Sequence, residues 1–211
     1  MRWLQLTILG IALAGPAQAE DIIDVLRRSQ QQRLETMSVA PDGPRVQAVR
    51  RSFELLRTAL NVEVPVHLIV TSGATMAETL HGNTIVANAS LGDLPEGERI
   101  FVLAHEFGHV VGGHWRQMGS LYKRWVPGEV TQDKTDPVAP SLGRDASGLA
   151  HRQEYEADAF ALQLLNKLGR SPQDAYSTFL RQGVTHDTAT HPATRKRWAA
   201  LRAMQASDAA P

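Results

Sequence analysis

The feature that most restricts the fold and chemistry of this chain is the sequence from His105 to His109, which reads His-Glu-Phe-Gly-His. Apolar residues recur through 95–113 at helical intervals, and Pro95 suits a first turn, so we predict one helix there. On a helix the two histidines lie about 40° apart around the axis and one turn along, whereas Glu106 is displaced by about 100°. Both imidazoles can therefore reach one ion, and such nitrogen ligands suit Zn²⁺.

Two glycines on the histidine side of this helix indicate that a second element packs closely there. Gly108 and Gly112 each cost a helix roughly 1 kcal/mol relative to alanine. Such positions favour the close approach of another backbone. The opposite side is apolar, so we predict a helix that is buried on both sides.

A catalytic zinc ion keeps three protein ligands and one open position, so a third ligand is required. His114 is the nearest candidate along the chain. The metzincin pattern needs a histidine where Trp115 stands, and His114 falls one residue early. A histidine that ends the helix and packs or solvates its C-terminus is the simpler interpretation of His114.

Glu154 is the stronger candidate for the third ligand. It shares one face of a second predicted helix, 151–168, with Asp158 and two alanines. Glu154 can then reach the ion, while Asp158 reaches the far nitrogen of a histidine ligand. Glu156 is the lesser alternative, and an exposed acidic first turn would account for Glu154 and Glu156 but not for Asp158 among alanines.

The remaining pattern predicts one mostly helical α+β domain over residues 20–211. Helices are expected over 21–38, 45–60, after Ser171-Pro172 and over 192–204, with strands at 65–71 and 83–89 around a polar stretch. Residues 115–150 have no regular pattern, so we predict an irregular insertion, either a lid over the site or a surface excursion.

The first nineteen residues have the pattern of a secretory signal peptide. Arg2 precedes an uncharged apolar run, and the small residues Ala17 and Ala19 flank Gln18. We expect cleavage after Ala19 and a periplasmic or secreted protein, with a retained anchor as the alternative. No later segment is apolar enough to insert stably into a membrane.

Composition excludes one class of partner. The chain has 22 basic and 22 acidic side chains, so its formal net charge is zero. Nucleic-acid binding draws much of its affinity from basic clusters, so no nucleic-acid partner is expected.

Taken together, three motifs resemble the zinc peptidases of the CAAX prenyl endopeptidase family, especially its small soluble periplasmic relatives. They are the His105 motif, Glu154-Tyr155-Glu156-Ala157-Asp158, and His191-Pro192 followed by Arg197. The resemblance implies a zincin-like fold with a small β-sheet beside the first motif's helix. It also implies one Zn²⁺ per chain, with Glu154 as third ligand and Asp158 behind the ligands.

The resemblance further implies that His191 and Arg197 lie over the active site, where they stabilise an oxyanion or cap the zinc ion. From the residues alone, His191 needs only to form a turn and Arg197 only a surface salt bridge. The chain lacks the transmembrane helices and helical repeats of larger relatives. Prenylated proteins and a broad chaperone role are therefore not expected.

The predicted function is a metalloendopeptidase that cleaves polypeptides with a zinc-activated water and Glu106 as general base. We expect substrate to pair with the edge of the strand at 83–89. Two alternatives stay open: a latent zinc protein that holds partner polypeptides, and a zinc amidohydrolase that acts on cell-wall peptides.

Overall fold

The computed structural model describes residues 20–62 and 65–208, so the predicted signal peptide lies outside the described residues. The helices are α1 (Ile22–Glu35), α2 (Pro44–Leu60), α3 (Glu96–Val111), α4 (His114–Trp125), α5 (Gln132–Thr135), α6 (Ala139–Lys167), α7 (Pro172–Gln182) and α8 (Thr194–Asp208). The strands are β1 (Ser38–Val39), β2 (His67–Ser72), β3 (Ala77–Leu80) and β4 (Thr84–Asn88). No helix within the described ranges is both long and apolar enough to span a bilayer.

The four strands form a small mixed sheet with the order β1-β2-β4-β3. β2 and β4 are parallel, with Leu68 opposite Ile85, and both outer pairings are antiparallel. β4 is paired on both sides, so the predicted pairing of substrate with the strand at 83–89 is wrong. The edge strand next to β4 is β3, which the sequence did not predict because it has four residues and includes the polar Glu78 and Thr79.

Helix α3 runs through the centre of the molecule. It packs against α2, α6, α7 and β3, and almost every side chain in its first three turns is buried. The core around it is built from apolar residues of α2, the sheet, α6 and α7, including Val49, Leu56, Ile85, Leu165 and Phe179. The predicted α+β, mostly helical fold with a small sheet beside this helix is confirmed.

The prediction of an irregular segment over 115–150 is wrong, because α4, α5 and the first half of α6 occupy most of it. Gly113 has φ 62°, a left-handed turn that ends α3 and starts α4 immediately. Pro140 lies in the first turn of α6, where a missing N–H costs nothing. Gly113 and Pro140 therefore mark helix boundaries, although glycine and proline in a sequence usually indicate irregular structure.

Candidate metal centre

The site forms where α3 and α6 approach each other closely. A Cβ atom added at Gly108 would lie 2.9 Å from the Cα of Ala157 on α6. Real Cβ atoms are not found this close to backbone, so only glycine permits the approach. Glu154 precedes Ala157 by almost one turn, and the contact therefore brings its carboxylate to the histidine side of α3.

The side chains of His105, His109 and Glu154 converge on one point. The two Nε2 atoms are 3.1 Å apart, and the Glu154 oxygens lie 3.5 Å from the His105 Nε2 and 3.3 Å from the His109 Nε2. Ligands about 2.05 Å from a tetrahedral zinc ion would be about 3.4 Å from one another. Within the described residues, these three form the group of side chains spaced to hold a metal ion.

The hydrogen bonds of the far ring nitrogens test whether this group fits a cation. His105 Nδ1 lies 2.9 Å from Asp158 Oδ1, and His109 Nδ1 lies 2.8 Å from the Nδ1 of His114. If each ligand histidine carries its proton on Nδ1, both Nε2 atoms present lone pairs to each other and to a carboxylate. In addition, Glu154 Oε2 is buried and makes no hydrogen bond among the described groups, although the Arg197 guanidinium is ion-paired with it. A cation satisfies all these atoms, so the donor set fits zinc.

The electrostatics of the site favour positive charge at its centre. Burial alone would raise the pKa of Glu154, but His105, the bond from His109 and Arg197 outweigh it and hold this pKa well below its usual value. Burial would likewise lower the pKa of His105, yet its bond to Asp158 and the charge of Glu154 raise it. The surroundings thus stabilise an anionic Glu154 and a positive charge beside it.

Glu106 lies beside the converging atoms but is not one of them. Its side chain is buried, and Oε2 accepts a 2.7 Å hydrogen bond from the hydroxyl of Thr79 on β3. The carboxylate faces both cavities that meet at the site. This position suits a group that exchanges protons with a reactant in the cleft.

His191 lies on the opposite wall, in the segment that joins α7 to α8. Its side chain is 58% exposed, and its Nε2 is 3.7 Å from Glu154 Oε1. The segment is fixed by the bond between His151 Nε2 and the carbonyl oxygen of Thr188. The predicted place of His191 near the site agrees with this geometry, while its role stays a prediction.

Arg197 is buried against the carboxylates rather than open to the cleft. Its Nε and Nη2 donate to both oxygens of Asp158 at 2.7 and 2.6 Å, and Nη1 lies 3.1 Å from Glu154 Oε2. Despite burial, these carboxylates raise the pKa of Arg197. Its guanidinium nitrogens thus contact the carboxylates of Asp158 and Glu154. This favours a role in positioning those carboxylates over the expected contact with an oxyanion.

His114 and Glu156 are in the site although neither is in the ligand group. His114 is buried beneath His109, and its Nε2 is 3.2 Å from Oε2 of Glu156, whose side chain is 62% exposed. Burial and the neighbouring His109 lower the pKa of His114. The sequence analysis treated both as lesser ligand candidates and preferred a helix-ending histidine and an exposed acidic residue. It did not predict their contact, because the left-handed turn that folds His114 back leaves no periodic signal.

Two cavities of about 480 and 320 Å³ meet at the site and share His105, Glu106, Glu154 and His191. The larger is walled by α1 and α4, through Leu26, Gln30, Arg33, Trp115, Met118 and Tyr122. The smaller is walled by α7 and the segment around His191. Residues of the predicted lid thus form a helical wall of the cleft.

This fold and site have the arrangement of a zincin-like α+β domain with a group of side chains that could hold one metal ion. Residues 138–205 match the model of peptidase family M48, a stretch that contains Glu154, Asp158, His191 and Arg197. The match agrees with the resemblance to this group of zinc peptidases.

Among solved structures, the chain is similar to Ste24p of S. mikatae, with 19% identity and a TM-score of 0.49. The alignment covers 79% of this chain and 51% of that one, so the chain spans about half the length of Ste24p. No curated protein matches the chain.

Proposed function

We propose that this chain is an exported metalloendopeptidase in which His105, His109 and Glu154 hold one Zn²⁺ ion and Glu106 is the general base. The observation that carries the proposal is the convergence of three ligand atoms at 3.1–3.5 Å, with both histidines bonded through their far nitrogens. When bound there, the metal ion supplies a water with a pKa lowered toward about 7 and a Lewis acid for the scissile carbonyl.

The chain's own residues move the protons. The Glu106 carboxylate, held by the Thr79 hydroxyl, accepts the proton of the attacking water and returns it to the nitrogen of the leaving amine. His191 reaches into the cleft from the other wall, where its Nε2 can donate to the oxygen that becomes negative. The Glu106 carboxylate thus serves first as base and then as acid.

The proposed substrate is an extended polypeptide paired with the outer edge of β3. This edge has no partner strand among the described residues, and it borders the larger cavity through Ala77, Glu78 and Thr79. Main-chain hydrogen bonds along it would position a peptide without strong sequence selection. The edge ends at His81, whose N–H donates at 2.6 Å to the side chain of Gln30 on α1. A bound peptide is therefore not expected to pair beyond Leu80.

Export to the periplasm or medium is supported by the signal-peptide pattern of residues 1–19. Cleavage after Ala19 would leave α1 close to the new N-terminus. The proposed substrates are accordingly proteins outside the cytoplasm.

A latent form of the same protein is the second candidate. It is favoured by one observation, the 3.7 Å separation of His191 Nε2 and Glu154 Oε1, which puts an imidazole within reach of the open metal position. In that case His191→Ala would increase peptide cleavage, whereas an oxyanion role predicts that the same change decreases it.

The test joins metal analysis with a casein-cleavage assay on purified wild type, Glu106→Gln and the surface control Glu35→Gln. We expect about one zinc ion per chain in all three proteins, with cleavage lost only in Glu106→Gln. Wild type without divalent metal, or Glu106→Gln with undiminished cleavage, would contradict the proposal.

A further inference from the structure

We propose that His114 is a positioning residue for His109, and that Glu156 in turn orients His114. The inference rests on the proposed function, in which His109 binds zinc through Nε2. It assigns a role to two side chains that have no part in the ligand group or in proton transfer. The line of contacts runs from the metal site through two imidazoles to a carboxylate at the surface.

The Nδ1–Nδ1 separation of 2.8 Å between His109 and His114 restricts the tautomers of the two rings. One nitrogen must carry the hydrogen and the other must accept it, because a hydrogen bond needs one of each. If His109 uses the lone pair of Nε2 for the metal ion, its Nδ1 is the donor. His114 then accepts at Nδ1 and carries its own proton on Nε2, which lies within ion-pair distance of Glu156 Oε2, at 3.2 Å, without making a hydrogen bond to it.

The backbone around His114 is shaped to accommodate this ring. Gly113 turns the chain with φ 62°, so the first residue of α4 folds back beneath α3. A Cβ atom at Gly112 would lie 2.4 Å from His114 Nε2, so only glycine leaves room for the imidazole. Gln153 on α6 donates at 3.2 Å to the carbonyl oxygen of His114 and ties the turn to the ligand helix.

The two ligand histidines are therefore held in different ways. His105 is held by Asp158, a carboxylate that is 1% exposed and also bound by Arg197. His109 is held by an imidazole, which offers a directed lone pair without a negative charge. Because Glu156 is exposed and water can replace it, we expect Glu156 to contribute less to zinc affinity than His114 does.

The experiment measures zinc affinity by competition with a chelator for wild type, His114→Leu, His114→Asn, Glu156→Gln and the remote control His67→Asn. Asparagine places an oxygen acceptor the same number of bonds from the backbone as Nδ1 of histidine, whereas leucine offers no acceptor. We expect His114→Leu to bind zinc about 10- to 100-fold more weakly, and His114→Asn and Glu156→Gln to stay within about fivefold of wild type. The control should match wild type.

Nitrogen NMR of the ring nitrogens in the zinc-loaded wild type provides a second readout that does not depend on any variant folding. We expect a protonated, hydrogen-bonded Nδ1 on His109 and a protonated Nε2 on His114. Equal losses in His114→Leu and His114→Asn, or a His109 without a proton on Nδ1, would overturn the inference. A wild type that binds no zinc would instead refute the proposed function, so the two failures are distinguishable.

Discussion

Replacing Gly108 with alanine adds one methyl group where α3 and α6 are closest. The new carbon would lie 2.9 Å from Cα, 3.2 Å from Cβ and 3.3 Å from the carbonyl oxygen of Ala157. Carbon atoms in contact are ordinarily about 3.5–4.0 Å apart. The helices must therefore separate by about 0.6–1 Å, since the atom nearest to the new methyl group belongs to backbone.

The expected loss of stability is small while the loss of zinc binding is large. Overpacking of this kind costs about 1–3 kcal/mol, and alanine returns about 1 kcal/mol of helix propensity, which leaves a net loss of about 0–2 kcal/mol. Glu154 is three residues from Ala157 on α6 and moves away from the histidines with it. Metal–ligand distances tolerate only about 0.2 Å, so the same displacement takes Glu154 out of bonding range.

The assay is denaturant unfolding in the presence of chelator, together with zinc affinity by competition. Gly143→Ala on α6 is the matched control, because nothing lies within 4 Å of its added Cβ. We expect Gly143→Ala to be as stable as wild type or up to about 1 kcal/mol more stable, with unchanged zinc affinity. If Gly108→Ala behaves in the same way in both measurements, close helix packing does not position Glu154.

Three further predictions address the surroundings of the site. Thr79→Val removes the hydrogen bond to Glu106, so kcat for a peptide substrate should fall about tenfold while zinc affinity stays unchanged. Thr79→Ser keeps the hydroxyl and should retain activity. Equal kcat values for the two variants would contradict this. Asp158→Asn removes one of the two carboxylates paired with the buried Arg197 and leaves only Glu154, so it should destabilise the metal-free protein by about 3 kcal/mol in denaturant unfolding. A loss below about 1 kcal/mol would contradict this. Removing zinc that is present at 1,000 times its dissociation constant should lower the free energy of unfolding by about 4 kcal/mol, which corresponds to about 8–16 °C in unfolding temperature. A calorimetric transition that does not change would contradict a metal site linked to folding.

The sequence predicted those parts of the site that depend on helical periodicity. His105, Glu106 and His109 lie on α3 as expected, and Glu154 and Asp158 share a face of α6 because their spacing is one turn. Small residues on both helices correctly indicated a close approach. Each of these inferences needs only the geometry of one helix and the size of its side chains.

Features set by turns and by tertiary pairing could not be predicted in this way. β3 is a strand because it pairs with β4, and four residues are too few for alternation to show. The position of His114 depends on the φ angle of Gly113, which the sequence permits but does not specify. The contact of Arg197 with Asp158 joins α8 to α6 across 39 residues, and no local pattern reports it.

Charge balance explains why a divalent cation suits this cluster. Glu106, Glu154 and Asp158 are each at most 6% exposed, and Arg197, whose side chain is 12% exposed, is the cation hydrogen-bonded and ion-paired to two of them. Three ionised carboxylates and one guanidinium leave a net charge of −2 if both ligand histidines are neutral. Buried charge without compensation is costly, and Zn²⁺ supplies the missing two positive charges while the imidazoles stay free to act as ligands. Protonation of the histidines would balance the charge equally well but would occupy the lone pairs that the metal ion needs, so metal binding and proton binding at this site must compete.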